Sequence, residues 1–243
     1  MLDATERDRL RVVLVATRNP LNLGAAARAM SNFGFLRLRV VNPYQVAFRE
    51  ARSATDAAPL LAHAEEYKSV ADAVADCTLV AGTTAGHSRE LHHPLRCLEE
   101  GARLIRRRLR SDRVALLFGS EKRGLSNQDL SHCHWLLRIP TREAHASMNL
   151  GQAVAVCLYE LARDARTRGG SERIEAAASG ESERLTGLLL ESLAASGYLK
   201  PRSGAATREK VRRLVRRLHL PASDAEVWLG IMRKITWKLR RGD

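Results

Sequence analysis

FGSEKRGLSNQDL, Phe118–Leu130, follows the apolar run Val114-Ala115-Leu116-Leu117. That run reads as a buried strand, so the stretch sits at a strand end. Gly119 and Gly124 flank a carboxylate, Glu121, and two cations, Lys122 and Arg123. Glycine hinges at such a point let backbone approach a ligand closely. A surface turn in a strongly basic chain has no need of a glutamate there. The stretch therefore predicts a ligand cradle on a sheet whose strand ends carry long loops.

Working outward from it, strands alternate with helices. Arg11–Ala16 is a nearly continuous apolar run, as expected of a strand buried on both faces. An alanine-rich helix follows over Asn22–Asn32, stopped by Gly34. Further strands are predicted at Leu36–Val41, Thr78–Ala81, Val114–Phe118 and Trp135–Ile139. Helices are predicted at 47–57, 69–76, 95–109 and 150–163. This alternation predicts an α/β domain with a mostly parallel sheet. Residues 167–181, with Gly169-Gly170 and few large apolar groups, read as a linker. Three helical patterns come after it, at 183–196, 207–218 and 223–240. The implied division is a domain over 1–166, the linker, and a basic helical extension over 182–243.

The chain has 243 residues, a formal net charge of +13 and 45% hydrophobic residues; its pI is near 10.4. A buried core is feasible, and the charge predicts a polyanionic partner, nucleic acid foremost. Aromatics make up only 5%, too few for an aromatic base-stacking platform. Arg208, Lys210, Arg212, Arg213, Arg216 and Arg217 crowd one tail helix, with no acidic partner visible along 210–217. The four cysteines form no C-x-x-C pair and no secretory leader opens the sequence, so a reduced, cytoplasmic protein is expected. No apolar run approaches the ~20 residues of a membrane span, so no membrane association is expected.

Ligands of open α/β sheets sit beyond the carboxyl ends of the strands. Three strand-end loops qualify: 82–86, 119–124 and 139–149. A dinucleotide fingerprint needs G-x-G-x-x-G after the first strand, but Thr17-Arg18-Asn19-Pro20-Leu21-Asn22 stands there. A phosphate-binding P-loop needs Lys after its second glycine, and Leu125 follows Gly124. His132-Cys133-His134 lacks a fourth ligand at metal spacing, so no metal is expected. His92-His93-Pro94 is given no role.

With the loops located, three blocks resemble the TrmH-like branch of the SPOUT superfamily of knotted RNA methyltransferases. They are Asn22-Leu23-Gly24-Ala25-Ala26-Ala27-Arg28, Phe118–Leu125, and Ile139-Pro140 followed by Ser147-Met148-Asn149-Leu150, where Met148 replaces the usual leucine. The blocks run in order over two-thirds of the chain. Within that branch the sequence is most similar to the TrmJ group, which methylates the ribose of nucleotide 32 in tRNA. Val41-Asn42-Pro43, Cys133-His134 and the helical tail carry that finer likeness.

The resemblance implies a trefoil knot, an obligate homodimer, and S-adenosylmethionine as methyl donor in a site completed near the partner subunit. It implies a donor site formed by Thr83, Thr84, Ala85, Gly119, Gly124, Ile139, Ala146, Ser147 and Met148. Arg28, Glu121, Ser147 and Asn149 become the catalytic set. Arg28 holds the target phosphate and stabilises the developing alkoxide, since a guanidinium is not a credible base. Glu121 is expected to organise Arg28 or Asn149, and Asn149 also suits a helix N-cap. Arg18, Asn22, Arg123, Arg212 and Arg213 are the expected RNA contacts. The alternatives are methylation of ribosomal RNA or of another tRNA position, or a non-catalytic RNA-binding factor with this fold.

Overall fold

The computed structural model describes residues 2–45, 48–49, 58–85, 93–163, 175–199 and 204–241. Its centre is a seven-stranded sheet in which every paired neighbour is parallel. The strands are β1 (Leu10–Val15), β2 (Leu38–Val41), β3 (Glu65–Tyr67), β4 (Leu79–Thr83), β5 (Leu95–Cys97), β6 (Val114–Phe118) and β7 (Trp135–Arg138). Their spatial order is β3-β2-β1-β6-β4-β7-β5. β1 and β6 are buried along their whole length, which is why they read as unbroken apolar runs.

This order positions everything functional. The chain leaves β1 towards one edge, returns to lay β4 and β5 on the other side, then inserts β6 between β1 and β4. β7 enters between β4 and β5. β6, β4 and β7 are therefore neighbours, with Gly82 in register with both Leu117 and Leu136. Parallel neighbours end on the same side, so three loops distant in sequence leave the sheet together.

The helices of this body are α1 (Ala4–Asp8), α2 (Pro20–Phe33), α3 (Ala58–Ala62), α4 (Val70–Ala73), α5 (Leu98–Leu109), α6 (Asn127–Leu130) and α7 (Leu150–Ala162). α2 starts at the side chain of Asn19, which accepts from Leu21 N at 2.9 Å, with Pro20 in its first turn. It stops at Gly34, whose φ of 73° is left-handed. α2 packs on α7 through small residues: a Cβ on Gly151 would lie 2.6 Å from that of Ala25. One large core forms around α2, α5 and α7, and a second forms around Val13, Val80, Leu117 and Leu136 on the other face.

The remaining helices are α8 (Ser179–Ala195), α9 (Ala205–Arg217) and α10 (Ala222–Arg241). They share a small core of Leu185, Val215, Leu229 and Met232. α8 is tied to the body at its start, where Ser179 N donates to Cys77 O at 2.7 Å and Gly180 N to Ala75 O at 2.8 Å.

Several expectations need correction. Leu95–Cys97 is an edge strand, and the helix expected from Leu95 begins at Leu98. Three residues are too short to show a period. Glu65–Tyr67 is a strand that its charge concealed, also at an edge. The helix expected over 69–76 is only Val70–Ala73, capped by Ser69. Of the helix expected over 47–57, all but Phe48 and Arg49 lies outside the described residues, as does 167–174 of the linker. The described remainder is ordered: Ala176 bridges Pro221, and α8 already begins at Ser179.

Candidate active site

The loops after β4, β6 and β7 meet around one cavity of about 290 Å³, near the lower end of small-molecule sites, ~300–1,000 Å³. Thr83, Thr84 and Ala85 line one side, Gly119 and Gly124 the middle, and Ile139, Ala146, Ser147 and Met148 the other. All nine residues expected at a donor site are thus gathered here. Glu121 and Arg123 also border the cavity, while Phe118, Leu125, Leu137 and Leu150 supply apolar floor.

Backbone fixes the shape. Thr84 N donates to Leu137 O at 3.0 Å, joining the first loop to β7. Thr83 Oγ1 donates to Leu117 O at 2.9 Å, joining it to β6. The opening stretch folds back on itself, with Gly124 N donating to Ser120 O at 2.8 Å. Gly124 has φ 66°, and a Cβ on Gly119 would lie 2.0 Å from the carbonyl carbon of Gly124. Both glycines are therefore required by the turn itself. In the third loop Thr141 Oγ1 donates to Ala146 O at 3.2 Å.

Glu121 has a clear task. Its carboxylate accepts from Asn19 N at 3.2 Å, from Arg18 N at 3.4 Å and from Asn22 Nδ2 at 3.1 Å. It holds the start of α2 against the cavity rim. The turn it grips follows Ala16, whose φ of 52° is rare for a non-glycine. Asn22 Oδ1 in turn accepts from Asn149 Nδ2 at 2.9 Å. Asn149 also caps α7, its Oδ1 accepting from Gly151 N at 2.9 Å and Gln152 N at 3.3 Å. Glu121 thus reaches Asn149 through Asn22, a bridging role the sequence alone did not suggest.

Arg28 stands apart. It is exposed on α2 and does not line the cavity of its own chain. It shares a helix face with Leu21 and Ala25, the latter at the α2–α7 seam. Ser147 lines the cavity and is exposed. Arg18 and Arg123 are exposed beside Glu121.

The tail arginines behave differently. Arg212 is forked onto Glu183, with 3.0 Å from Nε to Oε2 and from Nη2 to Oε1, and its Nη1 donates to Ser131 Oγ at 3.0 Å. Arg213 lies 3.7 Å from Glu209. Arg216, only 1% exposed, lies 3.7 Å from Glu183. The acidic partners missing along 210–217 come from α8 and from one turn earlier. The sequence could not show this, because Glu183 is a long-range partner.

His132, Cys133 and His134 diverge. His132 Nδ1 lies 3.8 Å from Glu183, His134 Nδ1 accepts from Val80 N at 3.0 Å, and the Cys133 sulfur packs towards Gly82. Burial, with Arg212 beside it, pushes His132 down to about 4. Burial also lowers His134, and it raises the Cys133 thiol. Among the described residues no three His, Cys, Asp or Glu side chains gather as a metal site.

The sequence profile of the SpoU rRNA Methylase family matches residues 9–159. The chain belongs to the SpoU methylase family. The tRNA (cytidine/uridine-2′-O-)-methyltransferase TrmJ of Photorhabdus laumondii is 32% identical over 235 residues, covering 94% of this chain and 97% of its own. The enzyme of the same name from Escherichia coli K12 is 31% identical over 233 residues, covering 93% and 94%. The crystal structure of TrmJ from Z. mobilis ZM4 superposes with a TM-score of 0.80 at 29% identity, covering 93% of this chain and 98% of its own. The SpoU match ends within α7, so the two TrmJ sequences and the Z. mobilis structure extend the likeness into the helical tail.

Proposed function

We propose that this chain transfers a methyl group from S-adenosylmethionine to the ribose 2′-hydroxyl of nucleotide 32 in the anticodon loop of tRNA. The convergence of three strand-end loops on one cavity, with Glu121, Asn22 and Asn149 linked on its rim, carries the reading. The tRNA substrate is inferred from TrmJ relatives matched over nearly their whole length.

The cavity suits that donor. Apolar residues such as Leu125, Leu137 and Ile139 can hold an adenine face, and Thr83, Thr84, Ser147 and backbone can meet polar edges. A sulfonium donor would supply an electrophilic methyl carbon: as the O–C bond forms the S–C bond breaks to a neutral thioether and the hydroxyl proton is released to water, so the protein's task is chiefly positioning. Glu121 and Asn22 keep the start of α2 beside the cavity, and Asn149 fixes the entrance of α7. Ser147 orients the ribose. Arg18 and Arg123 meet RNA phosphates at the rim; Arg212 and Arg213, engaged with glutamates, are assigned instead to holding the tail.

In this reading the chain works as a cytoplasmic homodimer with a trefoil knot around the cavity loops. Residues 1–166 are the methyltransferase domain and 182–243 the RNA-binding extension. Arg28, lying off its own cavity, serves the partner subunit's: it holds the target phosphate and stabilises charge on the attacking oxygen. The test is nucleoside mass spectrometry of tRNA incubated with enzyme and labelled donor. Arg28→Ala and a cavity-filling Ile139→Trp should each abolish methylation, and a mixed dimer of the two should regain it. A mixed dimer as inactive as its parents would place Arg28 in its own chain's site. Full activity of Arg28→Ala would remove it from catalysis.

A further inference from the structure

α10 presents three faces. Ala225, Leu229, Met232 and Thr236 are buried against α8 and α9. Trp237 marks a basic face, with Lys234 at 4.4 Å and Arg241 at 4.2 Å from its ring. On the third face Val227, Trp228, Ile231, Ile235 and Leu239 form a stripe, each 37–61% exposed. Their spacing is that of one helical face, over about 16–18 Å at ~1.5 Å per residue. A continuous apolar patch of this kind marks an interaction surface.

We propose that this stripe pairs with the same stripe of a second copy, antiparallel, about a two-fold axis passing beside Ile231. Charge selects the arrangement. The first turn of α10 carries Asp224 and the last turn carries Lys238, Arg240 and Arg241. Antiparallel pairing sets each acidic end beside the partner's basic end; parallel pairing stacks like charges. A self-complementary face is what two-fold symmetry requires. RNA is the poorer occupant, because Trp237 with Lys234 and Arg241 lies to one side of the stripe, and Lys238 is the one cation of the last turn that falls among its apolar residues. One helix pair buries far less than the ~1,600 Å² of a standard interface. The contact is therefore weak alone and adds to whatever other surface joins two copies.

Disulfide trapping in the full chain tests this, in a Cys97→Ser background because the other three cysteines are buried. Ile231→Cys should give a covalent dimer on mild oxidation, Asp224→Cys should not, and Asp224→Cys mixed with Lys238→Cys should. Crosslinks from both Ile231→Cys and Asp224→Cys alone would mean parallel pairing and overturn the proposal. So would no crosslink from Ile231→Cys, or protection of that thiol by added tRNA instead of by a second copy. Sedimentation supplies an independent readout. Asp224→Lys should weaken self-association at least tenfold, and Asp224→Lys with Lys238→Asp should restore it. Failure of the double variant to restore association would also overturn the proposal. Donor binding at the cavity should be unchanged throughout, so these results stand apart from the methyl-transfer reading.

Discussion

The cavity and the seam between body and tail use charge in opposite ways. At the cavity the ionisable groups are exposed and the shape is held by backbone: Glu121 grips main-chain amides, and two glycines let one loop close on itself. At the seam the charges are wholly or partly withdrawn from water. Glu183 is surrounded by Arg212, Arg216 and His132, and Arg216 has almost no contact with water. The cavity keeps its side chains available to a ligand. The seam spends its own on one another, so removing one of them strands another away from water, whereas the cavity is sensitive to added volume.

If that contrast holds, the cavity should be most sensitive to added volume. Gly119→Ala places a methyl 2.0–2.4 Å from backbone atoms of Gly124 and Leu125, and backbone cannot step aside as a flexible side chain can. We expect donor affinity, measured by calorimetry, to fall at least 100-fold, with α8–α10 keeping their hydrogen-exchange protection. Wild-type affinity would show that the loop is held less tightly than this geometry requires.

The seam should respond to lost charge instead. Glu183→Gln is nearly isosteric but strands Arg216 and weakens the fork to Arg212. Breaking a fully buried pair costs ~3–5 kcal/mol. The Glu183 side chain is 30% exposed, so we expect roughly 2–3 kcal/mol after solvent screening. The loss should appear as faster exchange in α8 and α9, with donor binding unchanged. Equal loss of protection in β6 and β7 would mean that body and tail unfold as one unit.

Legibility in the sequence divides along the same line. β1 and β6 were readable because burial on both faces leaves an unbroken apolar run, and α2 because of its alanines and its stop at Gly34; its start at Pro20, capped by Asn19, was read as loop. The three cavity loops were readable because their glycines and polar residues follow strand ends. β3 and β5 were not, being three-residue edge strands carrying charge. The seam was not legible either. Its key carboxylate, Glu183, stands 29 residues before Arg212 and its hydroxyl partner, Ser131, 81 residues before. Local pattern shows that arginines are abundant, not which of them already have partners.

Acid should separate the two regions most gently. His132, held down to about 4 mainly by burial and then by Arg212, is neutral in the folded protein well below the usual 6.5. His134 and His219 are shifted the same way, burial again the first cause. The unfolded chain takes up these protons below about pH 6.5 and the folded chain does not. Stability is therefore complete above that pH and declines as pH falls towards 4. His132 alone accounts for roughly 2 kcal/mol at pH 5, or about 4–8 °C in Tm for a chain of this size. Asp76, which burial raises but the hydrogen bonds and charge of Arg39, with Arg11, lower overall, loses its contribution only below its ordinary 3.8. The histidine window is thus free of it. Comparing Tm at pH 7.5 and 5.0 in wild type and His132→Gln should show a smaller drop in the variant. An equal drop would mean that the acid sensitivity lies outside the Glu183 cluster, and that the seam is less electrostatic than its geometry implies.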